Sequence, residues 1–97
     1  MDVSKLLEEL KNDIDITWED EKTDQKLTGV IKRGITFLME RAGALESDFT
    51  KDSRAKALLF DYVRYDRAAA LNEFYENYAE ELNSLLIANE VRDATEN

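Results

Sequence analysis

Residues 27–43 read LTGVIKRGITFLMERAG, and their apolar positions recur at the spacing of one helix face. That face carries Leu27, Val30, Ile31, Ile35, Leu38 and Ala42, with Phe37 beside it. Glycine costs about 1 kcal/mol against alanine inside a helix, so Gly34 predicts the close approach of another helix. Gly43 follows the last periodic residue, where helices commonly end on a left-handed glycine. The stretch therefore predicts a long helix that stops at Gly43.

The residues before this stretch predict where the long helix begins and what precedes it. A first helix is expected from near Asp2 or Ser4 to Asn12-Asp13, with apolar residues at Val3, Leu6, Leu7 and Leu10. Residues 14–16 alternate apolar and polar side chains, which is typical of an extended connector. Thr17 is the expected N-cap, and the acidic residues 19–21 complement the positive helix end. The second helix is therefore predicted from about Trp18 to Ala42.

The residues after Gly43 predict a loop and two more helices. The loop covers residues 44–51, with Leu45 and Phe49 as its apolar contacts, and a third helix opens near Asp52 or Ser53. The stripe of the third helix is Ala55, Leu58, Leu59, Tyr62, Val63, Asp66 and Ala69. The stripe of the fourth, with Asn72 as N-cap, is Tyr75, Tyr78, Leu82, Leu85 and Leu86. Residues 67–71 have high helix propensity, which leaves open whether these two helices are continuous.

The whole pattern predicts an all-α fold: a small bundle of about four helices. The chain has 97 residues, no Pro and three Gly. We expect one domain over residues 1–90 and a polar C-terminal tail over residues 91–97 that frays. A chain of this length buries only about two-thirds of its unfolded surface. An obligate assembly of several copies is therefore a possibility from the outset.

Composition excludes several classes of protein. The chain has no His and no Cys, which excludes zinc fingers, disulfide frameworks and imidazole- or thiol-based catalysis. A net charge of −9 argues against a protein that grips DNA phosphates. There is no run of about 18 apolar residues, and the first residues are polar, so we expect no membrane segment and no signal peptide. These features predict a cytoplasmic protein.

Two local patterns raise the question of chemistry. Asp13, Asp15 and Thr17 alternate like the start of an EF-hand loop, but Trp18 and Asp24 stand where that loop needs Gly and Glu. We favour a helix stop followed by a helix start, and predict no metal and no cofactor. Asp66 lies on an apolar stripe, where a structural ion pair with Arg33, Arg64 or Arg67 is favoured over general-acid catalysis. The aromatic series of residues 62–78 is interpreted as packing rather than base stacking. We expect no enzyme.

The order of segments along the chain resembles a known family. A short Leu-rich helix leads into IDITWEDE (14–21), followed by VIKRG (30–34), Asp48-Phe49 and ALLFDYVRY (57–65), then by Ala70-Leu71, Phe74 and Tyr78. This order is similar to that of the small head–tail connector proteins of tailed bacteriophages and prophages, also called adaptor or DNA-packaging proteins. The resemblance covers residues 6–86.

The resemblance implies a structural role in the virion, after assembly in the host cytoplasm. About a dozen copies would form a ring under the portal protein, extend the DNA channel and receive a stopper or tail-completion protein. DNA would pass through without sequence-specific binding, and no membrane is involved. A closed ring needs two different patches on each subunit. We expect one patch around Lys26 and Arg33 and the other near Arg64, Arg67 and Tyr75, with residues 91–97 as a candidate contact to the portal.

Two other functions remain open from the sequence. The first is a non-viral acidic helical module that binds and masks a basic partner, which the net charge of −9 would suit. The second is a carboxylate–metal enzyme, which we consider weaker because the chain presents no convincing ligand cluster.

Overall fold

The computed structural model describes residues 1–96, which form five α-helices. They are α1 (Ser4–Asp13), α2 (Glu21–Ala42), α3 (Arg54–Arg67), α4 (Leu71–Asn77) and α5 (Ala79–Glu96), with a 3₁₀ helix at Glu46–Thr50. No strand occurs in the described part of the chain. The predicted all-α class is confirmed, and the fourth predicted helix is divided in two at Tyr78.

The start of α2 lies three residues later than the sequence pattern predicted. Asp20 is the N-cap, because its carboxylate accepts a hydrogen bond from the Lys22 amide at 3.2 Å. The Thr23 hydroxyl donates to the same carboxylate at 2.8 Å. Thr17 is exposed and lies outside the helix, so its predicted role as N-cap was wrong.

The connector between α1 and α2 is a turn rather than the predicted extended segment. Asp15 has φ 61°, in the left-handed region, and the Ile16 amide donates to the Lys11 carbonyl at 2.8 Å. This backbone bond closes the end of α1 and folds Ile16 into the core, where it is buried. Ile14, at the other end of this turn, is half-buried.

Gly34 lies where α2 crosses α3, as its sequence position predicted. A Cβ added there would stand 2.7 Å from Leu59 Cδ1 and 2.9 Å from Tyr62 Cδ1. Gly43 ends α2 with φ 69°, and its amide donates to the Leu38 carbonyl. Both predicted roles of these glycines are confirmed.

The loop after Gly43 is partly as predicted. Phe49 is buried within the 3₁₀ helix, but Leu45 is 44% exposed, so its predicted apolar contact was wrong. Leu45 is held instead through its backbone, because its amide donates to the Asp48 carboxylate at 2.9 Å. Ser53 then caps α3 by accepting from the Lys56 amide at 3.0 Å, which confirms one of its two predicted start points.

The third and fourth predicted helices are separate. Ala69 adopts φ 55°, and the Ala70 amide donates back to the Tyr65 carbonyl at 2.8 Å, which terminates α3. The Ala70 carbonyl then accepts from the Phe74 amide at 3.2 Å and so begins α4. Asn72 is therefore inside α4 and is not the N-cap that the sequence predicted.

The expected frayed tail is helical as far as the structure describes it. Residues 91–96 continue α5, and only Asn97 of the predicted tail lies outside the described residues. Two side chains hold this end in place: Asn89 donates to the Ala42 carbonyl at 2.7 Å, and Arg92 pairs with Asp48 at 3.0 Å. The polar composition of the segment misled the prediction, because these polar groups make tertiary contacts.

The core lies where α2 packs against α1, α3 and α5, with α4 covering the end of α3. Its largest fully buried side chains are Phe49, Phe74, Leu10, Leu27, Ile31, Leu38, Leu58, Leu59, Leu82 and Val63. The predicted apolar faces of α2 and α3 supply most of them. The molecule measures 43 × 27 × 17 Å along its principal axes, so each long helix keeps one face in solvent.

Candidate functional site

An aromatic cluster joins α2, α3 and α4. Phe74 is fully buried at its centre and stacks on Tyr78 with ring centroids 4.6 Å apart. Tyr62 and Tyr65 approach Phe74 at 5.6 Å each, and Phe37 approaches Tyr62 at 5.7 Å. Offset and edge-to-face pairs of this kind stabilise a core beyond the area that they bury. The predicted packing role of these rings is confirmed.

Tyr78 ties this cluster to a carboxylate. Its hydroxyl donates to Asp61 at 3.1 Å, and burial together with this hydrogen bond raises the pKa of Tyr78 to about 12. The phenol is therefore neutral at physiological pH. It acts as a hydrogen-bond donor within the subunit, so Tyr78 has a positioning role rather than a chemical one.

Arg64 is the centre of an ion-pair network that shares Asp61 with Tyr78. Its guanidinium pairs with Asp13 at the end of α1 and with Asp61 at 2.7 Å in its own helix. The side chain remains 44% exposed, so a neighbouring protein could still reach it. The same network engages Asp13, the first residue of the calcium-like pattern, in an ion pair. No group of three or more metal-ligating side chains occurs among the described residues.

Arg33 and Asp66 form the ion pair that the sequence predicted as one of three possibilities. The shortest distance between them is 3.9 Å, and the Arg33 side chain is 61% exposed. A pair so open to water contributes about 0–1 kcal/mol. Burial raises the pKa of Tyr62 beneath this pair, Tyr75 and Asp66 raise it further, and Arg33 opposes them. Arg33, Asp66 and Tyr75 therefore surround one tyrosine of the core.

The predicted interface residues divide into separate groups. Lys26 and Arg33 are exposed on one stripe of α2. Tyr75 of α4 is 40% exposed, and its ring lies 5.3 Å from the ring of Phe37 in α2. Arg64 faces α1 instead, within its own ion-pair network. Arg67 is exposed in the last turn of α3, where a cation is favourably placed against the helix dipole.

A basic face on α2 extends the first of these groups. Lys22, Lys26, Lys32 and Arg33 are all exposed, and residues 25–39 contain neither Asp nor Glu. Asp24, the one acid between Lys22 and Arg33, turns away and pairs with the buried Lys11 at 2.9 Å. That carboxylate raises the pKa of Lys11 despite the opposing effect of burial. A concentrated positive face thus stands on a strongly acidic protein.

Sequence reasoning missed the polar contacts that fasten the end of α5. Both oxygens of the largely buried Asp48 carboxylate lie 3.0 Å from Arg92 Nη1. Burial raises the pKa of Asp48, but the Leu45 amide and the Arg92 guanidinium lower it to below its usual value. Residues 48 and 92 are far apart in sequence, so local periodicity carries no signal of this pair. The one hint of these contacts in the sequence was Asn89, which lies on the inward side of α5.

The chain matches no protein family, no curated protein and no solved structure. Across residues 1–96, the structure has no helix with the length and apolar character needed to cross a membrane. The chemistry of the exposed surfaces is consequently a guide to function beside the order of segments along the chain. Those surfaces offer charge and apolar contact to a macromolecule, with the basic face of α2 as the most distinctive feature.

Proposed function

We propose that this protein is a structural subunit of the head–tail connector of a tailed bacteriophage or prophage. In this role about a dozen copies form a ring beneath the portal protein. The ring continues the DNA channel and receives the stopper or tail-completion protein. The subunit would work by contact alone, with no catalytic residues and no cofactor.

The observation that carries the proposal is the ordered resemblance of residues 6–86 to that family. The two most characteristic segments of this resemblance have clear structural roles in this chain. IDITWEDE (14–21) forms the turn and N-cap between α1 and α2, and ALLFDYVRY (57–65) supplies the packed face of α3 and Arg64. A helical bundle with extensive exposed helix faces is suited to assembly side by side with other copies.

The charge of the chain also supports this role. A net charge of −9 per copy multiplies around a ring, so a channel formed by such subunits repels DNA phosphates. DNA that is repelled from the wall slides through the ring rather than adhering to it. The Debye length of about 8 Å at physiological salt confines this effect to DNA close to the wall.

Two measurements test the proposal. The first is the gene neighbourhood, where portal, capsid and tail genes are expected beside this one. The second mixes the purified full chain with the neighbouring portal protein and examines the mixture by sedimentation and electron microscopy. A ring of added density on the portal is the expected result. A chain that stays a monomer or dimer and never joins the portal would contradict the proposal.

A second candidate function is a non-viral acidic module that masks a basic partner. The observation that favours it is the run from residue 68 to residue 91, which contains five Glu and neither Lys nor Arg. A gene neighbourhood free of virion genes, together with capture of a basic host protein that is lost at high salt, would favour this module over the connector.

A further inference from the structure

One exposed stripe of α2 carries three positively charged side chains and a glycine. Lys22, Lys26, Gly29 and Arg33 follow one another at intervals of four, three and four residues, which places them on one helix face. The three cations are exposed, and Gly29 is half-exposed between them. Thr36, also exposed, continues this side of the helix without charge, and the exposed Glu40, seven residues after Arg33, follows it near the end of α2. We call these residues the α2 stripe.

Gly29 is a glycine that the fold of a single subunit does not require. A Cβ added at this position would meet only Arg33 Nη1, at 3.6 Å, which is ordinary contact. Gly34, five residues later, is required because Leu59 lies against it. Glycine weakens a helix relative to alanine, so Gly29 has a cost without an internal benefit. A gap in the side-chain layer at this point allows another backbone to approach closely.

A second exposed stripe runs along α4 and α5 and has the opposite charge. It consists of Glu73, Glu76, Glu80, Ile87 and Val91, at intervals of three, four, seven and four residues. All five side chains are exposed. Ile87 and Val91, at 61% and 62%, are the most exposed large apolar side chains in the described chain. We call these residues the α4–α5 stripe.

The two stripes are similar in length, and each begins with charged residues of a single sign, after which an uncharged residue follows. From Lys22 to Thr36, 14 residues of helix rise about 21 Å, and Glu73 to Ile87 covers the same number of residues along α4 and α5. Tyr78 is the single residue between the two helices: its amide donates to the Phe74 carbonyl at 3.0 Å, and its carbonyl accepts from the Leu82 amide at 2.8 Å. Laid side by side in parallel, the basic half of one stripe faces the acidic half of the other. Thr36 then faces Ile87, and Glu40 lies beside Val91 at the end of the contact.

We infer that the α2 stripe of one copy of this chain docks on the α4–α5 stripe of the next copy. The occupant is a second copy because this chain itself carries both complementary faces, each exposed. A contact between two different faces is heterologous, and such contacts close into rings when the rotation between copies allows it. Since the ring is the proposed function, this interface deepens that proposal and rests on it.

Cysteine cross-linking tests the contact directly, because the natural chain has no cysteine. The parallel pairing brings position 36 of one copy near position 87 of the next. The double variant Thr36→Cys/Ile87→Cys, oxidised at high protein concentration with copper phenanthroline, is expected to give a ladder of covalent oligomers. Each single variant is expected to stay monomeric. The matched control Asn12→Cys/Ile87→Cys, which moves one thiol to the exposed side of α1, should give no ladder.

Three results would overturn this pairing. Dimers from either single variant would indicate a two-fold contact between identical faces. A double variant that gives no more oligomer than its Asn12 control would show that the two stripes do not meet. Rapid formation of the Asn12→Cys/Ile87→Cys ladder would place the neighbour on α1 instead.

Gly29 and Lys26 supply a second test in the background of the double-cysteine variant. Gly29→Ala is expected to raise the melting temperature while it lowers the yield of ladder several-fold, because the methyl group holds the neighbour away. Lys26→Glu should lower the yield, and adding Glu76→Lys should restore it. Lys5→Glu, an exposed change of equal charge on α1, should lower the yield much less. Unchanged ladders in Gly29→Ala and Lys26→Glu would contradict the docking of this stripe.

Failure of the interface and failure of the proposed function are distinguishable. Wild-type chain that joins the portal while the Thr36/Ile87 pair gives no ladder would reject this interface and keep the connector role. A ladder from a chain that does not join the portal would support the interface and reject the role.

Discussion

Gly34 shows how one missing side chain sets the distance between two helices. Gly34→Ala would place a methyl group 2.7 Å from Leu59 and 2.9 Å from Tyr62, both of which are buried. Overpacking of this kind costs about 1–3 kcal/mol, which we expect to outweigh the ~1 kcal/mol that alanine gains in a helix. The urea midpoint of Gly34→Ala should therefore fall. Gly29→Ala is the matched control and should raise the midpoint; a rise in both variants would contradict the close crossing.

Asp48 makes the stability of the fold depend on pH. Its pKa in the folded chain is lowered, while the unfolded chain holds an aspartate near its usual value of about 3.9. The folded state thus binds this proton less tightly. The stabilisation by Asp48 is complete above about pH 4 and is lost as the pH falls through the lowered folded pKa.

Asp48→Asn is therefore expected to lower the urea midpoint at pH 7 and to flatten the acid limb of the stability curve. The measurement is the midpoint between about pH 2.5 and pH 7, where the pKa difference acts. Asp52→Asn, a change at a fully exposed carboxylate, should shift stability by no more than about 0.5 kcal/mol. An Asp48→Asn variant with the acid limb of the wild type would refute this assignment.

The last turns of α5 depend on tertiary contacts rather than on helix propensity. Arg92 reaches Asp48 and the Gly43 carbonyl, so it fastens the helix end to the segment after α2. In Arg92→Ala, amide hydrogens of residues 91–96 are expected to exchange much faster with solvent, while the amides of α3 keep their protection. Glu90→Gln, an exposed change two residues earlier, should leave the exchange unchanged. Equal protection in wild type and Arg92→Ala would show that the helix end holds by itself.

The aromatic cluster joins three helices through one side chain. Phe74 of α4 is fully buried and contacts rings of α2 and α3 and the ring of Tyr78, between α4 and α5. Phe74→Ala should cost about 3–5 kcal/mol in the free energy of unfolding. That is a large part of the total for a chain of this size. Loss of the near-ultraviolet circular dichroism signal and a low urea midpoint are the expected results. Tyr75→Phe, at the exposed edge of the cluster, is the control. It should retain the near-ultraviolet signal and the urea midpoint of the wild type.

At the scale of the whole molecule, charge and shape act together. The subunit is only 17 Å thick, less than two helix diameters, so its helices cannot all be enclosed in one core. Their outer faces are charged with an excess of nine negative charges. We therefore expect no measurable binding of duplex DNA at physiological salt, where nonspecific binders reach about 10⁻⁴–10⁻⁶ M.

Fluorescence anisotropy of a labelled duplex tests this expectation. The triple variant Glu73→Lys/Glu76→Lys/Glu80→Lys changes the net charge by six units and is expected to gain salt-sensitive binding. Wild-type binding in the micromolar range would contradict a channel wall that DNA slides along.

The local order of residues was sufficient to predict much of this fold. Apolar spacing located the packed faces of α2 and α3, and the two glycines at 34 and 43 marked a crossing and a helix end. These signals are local, because a helix repeats every 3.6 residues and a left-handed stop needs glycine. The sequence also excluded imidazole and thiol chemistry by composition alone.

Tertiary structure decided what depends on groups far apart in the chain. The Arg92–Asp48 pair turned an expected frayed tail into helix, and Ala69 divided α3 from α4 against high local propensity. Asp20 rather than Thr17 capped α2, since the turn at Asp15 displaced the helix start. In the second predicted patch, packing turned Arg64 towards α1 and placed Tyr75 beside Phe37 of α2. Periodicity assigns a residue to a face of its own helix, but only the packing of helices determines which faces remain exposed together.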